Sequence, residues 1–241
     1  MSISRLGFVV LSGAGAFAAA ATGAGAEVAS APRTTSRKNP EHALLPSEYD
    51  RAAMLAFLDQ NAAHKQVYQT ERLDISGDLS ALFVKMQRSM NSFEFSLQAG
   101  KLATLAILMG NSVALSADDS MWTKYEIGRV SRFRDGFGNT IAANVFDKAR
   151  TSMGVAGGCD KPGTVYQDYT GEAVRNRGGG MMVCYNALSG FANGLAEALN
   201  GDGPAILADL LHHMIPGYRL VPSGVSTIQL AQEHNWKTYA M

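Results

Sequence analysis

Residues 178–190 hold the arrangement with the most chemical potential in the chain. Three glycines precede an apolar run of Met181, Met182 and Val183, and Cys184, Tyr185 and Asn186 then lead into a helical pattern. The run reads as a short buried strand that delivers a thiol to the mouth of a helix, with Asn186 as the N-cap. A thiol there feels the positive end of the helix dipole, which favours the reactive thiolate. The chemistry available is that of a nucleophile, a persulfide carrier or a redox thiol. The plainer reading of Cys184 is a small buried hydrophobe at a strand end. From position alone the two readings balance, because no partner base is visible nearby.

Only one other cysteine exists, Cys159, in the glycine-rich stretch 154–163. Three pairings stay open: a structural disulfide with Cys184, a redox-active or sulfur-carrying pair, or two unlinked thiols.

The remaining titratable residues carry weaker signals. His212 and His213 fall late in an expected helix, where adjacent side chains point about 100° apart and do not both face one site. A capping or surface role is expected for them. Asp118 and Asp119 precede Trp122 by a turn; paired carboxylates suit acid–base work, but acidic residues also belong at a helix start and Trp122 belongs in the core. Met86 and Met90 have helix-core spacing. No metal-binding motif, dinucleotide fingerprint or phosphate loop occurs, so neither a metal nor a cofactor is expected.

Positioning such a thiol needs a framework, and the bulk composition supplies one. The chain has 241 residues, 46% of them apolar, with zero formal net charge. That is enough apolar surface for a full core. A balanced charge argues against a nucleic-acid surface, which needs concentrated Lys and Arg. Arg5, the apolar small-residue-rich stretch 6–21 and the small-x-small site at 24–26 read as a signal peptide over 1–26, with a periplasmic destination. No stable membrane span is expected after cleavage. Residues 27–46 read as a disordered tether, and 47–241 as a single domain.

Within that domain strands and helices alternate. Ser47 is the expected cap of a first helix, 65–70 a strand, and 78–98 a long helix. Residues 102–109 suit a strand buried on both faces. Residues 115–128 are helical or turn-rich, and 139–149 an expected helix. After the strand ending at Cys184 come helices at 187–199, where Gly190 and Gly194 would allow close approach of a neighbour, and at 205–214. A strand at 218–222, a helix through 232 and an edge strand at 236–239 complete the chain. This pattern predicts an α/β fold, three-layer α/β/α with a mainly parallel sheet. Sites in such folds lie beyond the carboxyl ends of the strands, where Asn111, Cys184 with Asn186, and Ser223 all fall.

Six segments extend the reading: 66–70; a long helix containing Met90, Asn91 and Ser92; 105–111; 117–122; 182–188; and 215–225. Over residues 66–239 the chain resembles the DsrE/DsrF-like family of small α/β proteins linked to sulfur relay. The resemblance implies a three-layer parallel sheet, homo-oligomerisation and exchange with a sulfur donor or acceptor protein. In sulfurtransferase members a strand-end cysteine carries a persulfide, and Cys184 is the matching position. Asn111, Asn186 and Ser223 would line its pocket. The long stretch 129–177 departs from the compact family pattern and reads as an insertion able to cover the thiol. A non-catalytic binding or assembly module of the same fold, and a dithiol redox protein using Cys159 and Cys184, are the alternatives.

Overall fold

Asp50, rather than Ser47, starts the first helix. Its carboxylate accepts the Ala53 N–H at 2.8 Å and caps α1 (Arg51–Leu58), while Ser47 lies in the preceding turn. A computed structural model describes residues 43–77, 79–148 and 168–241, all within one compact unit. The expected signal peptide, the tether through residue 42, Asp78 and Cys159 lie outside the described residues.

The chain continues through β1 (His64–Thr70) and a small hairpin of β2 (Ile75–Ser76) and β3 (Leu79–Ser80). Next come α2 (Ala81–Asn91), a π-helical turn (Ser92–Ser96), β4 (Leu102–Leu108) and a 3₁₀ segment (Gly110–Ser116). Short helices α3 (Asp119–Lys124), α4 (Ile127–Val130) and α5 (Gly171–Asn176) lead to β5 (Gly180–Cys184) and α6 (Tyr185–Leu199). The order ends with α7 (Gly203–His212), β6 (Tyr218–Val221), α8 (Gly224–Glu233) and β7 (Lys237–Ala240).

The main sheet runs β6-β5-β4-β1-β7, and every neighbouring pair is parallel. Its register sets Val67 beside Leu105, Leu108 beside Val183, and Cys184 beside Val221. Alternating side chains then feed two cores. Tyr68, Ala106, Leu108, Met181 and Val183 face the layer containing α2 and α6. Val67, Leu105, Ile107, Met182 and Cys184 face the layer containing α1 and α8. Continuous apolar strands are what a sheet covered on both sides requires, so the α/β three-layer expectation holds. Each fully buried Leu or Ile in these layers contributes about 1.5–3 kcal/mol.

Several local expectations differ. The helix expected from residue 78 to 98 begins at Ala81 and ends in the π-helical turn. Residues 139–148 form turns instead of a helix, because Asn144 bends the chain onto its neighbours. Its side-chain amide donates to the carbonyls of Leu115 (3.0 Å) and Ala117 (2.8 Å), and its carbonyl oxygen accepts the Phe146 N–H. Phe146 and Phe133 then pack against the buried Trp122, at 6.0 and 5.7 Å between ring centres. Gly190 and Gly194 meet open space rather than a close neighbour. At Gly180 the close approach is real: an added Cβ would lie 2.3 Å from the Phe57 ring. Met86 and Met90 are core residues, as their spacing predicts. Among the described residues no helix is long and apolar enough to cross a membrane.

Candidate functional site

β5 ends at Cys184 and α6 starts on the next residue, so the cysteine itself occupies the N-cap position. Its backbone is extended (φ −68°, ψ 116°) and its Sγ accepts the Ala187 N–H at 3.4 Å. Asn186, the cap expected from the sequence, is instead an exposed residue in the first turn. The strand delivers its last residue directly into the helix, so the cap position falls on Cys184 and Asn186 is already a helical residue. Among the described residues Cys184 has no disulfide partner; it is 5% exposed, within the apolar layer of Ile107, Met109, Met182, Val221 and Ile228.

The rim around it is built by the neighbouring strand ends. β4, β5 and β6 are adjacent and parallel, which brings Asn111, Cys184 and Ser223 to one edge of the sheet. Ser223 occupies the N-cap position of α8; its carbonyl accepts the Thr227 N–H at 3.0 Å and hydroxyl at 2.7 Å. Gly224 lies so near Met109 that a Cβ would sit 2.4 Å from its sulfur, which holds the β6–α8 turn against the end of β4. Asn111 serves a different neighbour: its side-chain oxygen accepts the Leu73 N–H at 2.7 Å and its own N–H donates to Glu71. That pair of bonds ties the segment after β1 to the end of β4.

A second group of polar residues comes together elsewhere. Asp118 caps α3, as an acidic residue at a helix start should, and accepts the Met121 N–H at 3.1 Å. The same carboxylate accepts the Ser120 hydroxyl at 2.5 Å and lies 3.1 Å from His213 Nδ1. Burial alone would raise the Asp118 pKa. The donors Ser120, Met121 N–H and His213 outweigh it and hold the carboxyl below its ordinary range.

The backbone fixes this pairing. Asp118 N–H donates to the His213 carbonyl at 3.2 Å, and Ile215 N–H donates to the Ser116 carbonyl at 2.8 Å. Asp209 of α7 adds Lys124 of α3 (2.5 Å) and Tyr125, the residue that ends α3, as partners. His213 also caps the C-terminus of α7, with φ −102° and ψ 23°. Because the helix ends there, helical spacing no longer separates the two histidines. Both rings border one cleft of about 530 Å³, with their centres 5.0 Å apart. Sequence spacing excluded that convergence; the His213 position at the helix end was the available clue.

Asp147 reaches the same cleft but is neutralised from behind. Arg175 grips its carboxylate at 2.5 and 3.1 Å, with Tyr218 hydroxyl donating at 3.3 Å. Burial opposes the Arg175 charge, but Asp147 more than compensates and raises its pKa. The Tyr218 phenol, fully enclosed beside Asp147, is pushed well above its ordinary value, first by burial. Neither residue carried a sequence signal. Among the described residues no three His, Cys, Asp or Glu side chains are grouped to hold a metal ion. In comparisons of the chain with protein-family models, curated proteins and solved structures, none matches.

Proposed function

We propose that the protein is a periplasmic DsrE-like α/β protein in which Cys184 handles sulfane sulfur or another thiol-reactive ligand. The observation that carries this reading is the Cys184 Sγ at the N-cap of α6, accepting the Ala187 N–H at 3.4 Å. A thiolate or persulfide anion at that place gains a backbone donor and the positive end of a fifteen-residue helix. The resemblance over residues 66–239 supplies the chemistry. The Cys184 thiolate attacks the outer sulfur of a persulfide donor, a new S–S bond forms on Sγ, and the donor thiolate leaves. No net oxidation occurs. A donor or acceptor protein and a homo-oligomer belong to the same proposal.

A second reading, a non-catalytic binding or assembly module, has its own support. Cys184 is 5% exposed and packed among apolar side chains, as a structural cysteine would be. One experiment separates the two. Reduced full-length protein is incubated with glutathione persulfide, and intact mass with peptide mapping is recorded with and without reductant. Sulfur gained on Cys184, reversible by reductant and absent in Cys184→Ser, supports transfer. Unmodified protein supports the binding module, and a mass loss of two hydrogens with Cys159 linked to Cys184 supports a dithiol.

A further inference from the structure

The Asp118–His213 pair and its cleft take no part in thiol chemistry, yet they have the parts of an acid–base site. We propose that this cleft is a second, separate site, in which His213 acts as general base toward water in the hydrolysis of a small neutral ester.

The geometry assigns the roles. A carboxylate on Nδ1 makes that nitrogen the N–H donor and leaves Nε2 with the lone pair. Asp118 is a positioning residue: the Ser120 hydroxyl and Met121 N–H both donate to Oδ1, which leaves Oδ2 for His213 Nδ1, and the backbone bonds between 116–118 and 213–215 fix the distance. Ser120 is not placed as a nucleophile. Its hydroxyl donates to Asp118 and lies 3.5 Å from Nδ1, the nitrogen already engaged. Water is therefore the attacking group.

The walls select the substrate class. Asp118 and Asp119 make one wall unfavourable for anions, while Arg175 already offsets Asp147. Met214, Ile215 and Pro216 give a short apolar surface suited to an acyl chain. Lys148 borders the same cleft and supplies the positive charge needed near a developing oxyanion. In the reaction Nε2 takes a proton from water as the water oxygen bonds to the carbonyl carbon. The carbon–oxygen bond to the alcohol then breaks, and the alkoxide recovers the proton from Nε2.

The test uses the full chain and p-nitrophenyl acetate. Wild type should turn over the ester with no burst, and Cys184→Ser should match it. His213→Gln should lose about a hundredfold or more, the usual contribution of a positioned base. Asp118→Asn should lower kcat and move the pH profile, which a merely structural role for Asp118 would not do. The charges around the ring during that profile are Asp118 and Asp119 of the α3 start, Asp209 of α7, Lys148, Asp147 with its partner Arg175, and the neighbouring His212. Activity equal in His213→Gln, or lost in Cys184→Ser, overturns the proposal. Nitrogen NMR of the wild-type ring is independent of any variant's folding: an Nδ1–H tautomer is expected, and an Nε2–H tautomer overturns the assignment.

Discussion

His213 Nδ1 lies 3.1 Å from Asp118 Oδ2, joining positions 95 residues apart. The contact is one rung of a fastening between α3 and the end of α7. The antiparallel bridge from Ala117 to Met214 is another, and the Asp209 pairing with Lys124 and Tyr125 a third. The cleft beside it has one wall from each of these two elements, so its shape depends on that fastening.

Asp118→Asn tests the charge while keeping the cap, because Asn caps a helix about as well as Asp. The Asp118 pKa is lowered in the folded protein, so its contribution is present above the ordinary carboxylate range near pH 4. It is lost as pH falls through the lower folded value. The stability gap between wild type and variant in urea titrations should therefore be present at pH 7 and close below about pH 4. The carboxylate is 39% exposed, so the gap should stay within about 1 kcal/mol. A gap that widens on acidification would refute the assignment.

Cys184→Ser should change stability by no more than about 1 kcal/mol. Serine is a better N-cap than cysteine, which offsets the hydroxyl's poorer fit among Ile107, Met109 and Val221. The native thiol should react with iodoacetamide much more slowly than the same cysteine in urea, since only 5% of the residue is exposed. Equal rates in the two states would show that the rim opens freely. Slow alkylation with fast persulfide uptake would mark a gated site.

Gly128 and Gly190 separate two uses of glycine. A Cβ at Gly128 would lie 1.7 Å from the Ile141 carbonyl oxygen, and backbone has little room to yield. Gly128→Ala should cost at least about 1–3 kcal/mol, the usual range for overpacking. Gly190 lies inside α6 with nothing within 4 Å of an added Cβ. Gly190→Ala should stabilise by about 0.5–1 kcal/mol through helix propensity. Thermal melts check both, and a destabilised Gly190→Ala would point to a neighbour pressed against that face of α6.

What could be read from the sequence follows the range of each signal. The apolar run at 102–109 announced β4, and the switch from Met182–Val183 to a helical pattern placed Cys184 at a strand end, because those patterns are local. Helix starts were less legible: Ser47 and Asn186 have cap chemistry, but Asp50 and Cys184 sit where the backbone turns. The stretch around Asn144 has a helical pattern in sequence, and what turns it instead is the pair of side-chain bonds to Leu115 and Ala117, about thirty positions back. His213 with Asp118, and Arg175 with Asp147, are likewise pairings between distant segments. No periodicity marks them, and only the folded topology brings them together.

Arg175 and Asp147 make the sharpest energetic test of that topology. Their side chains are 16% and 4% exposed, and two N–H···O bonds join them while Tyr218 donates a third. The guanidinium also lies over the Tyr218 ring at 5.0 Å. Arg175→Met keeps much of the side chain's bulk but leaves the Asp147 carboxylate buried without its counter-charge. Removing one partner of a buried pair costs about 3–5 kcal/mol, far more than a surface pair would. The double variant Arg175→Met with Asp147→Asn should recover a large part of that loss, because no uncompensated charge remains inside. Urea midpoints for the two single variants and the double variant measure the coupling directly. Additive losses would mean that the pair contributes through packing alone, and that Asp147 finds water when Arg175 is gone.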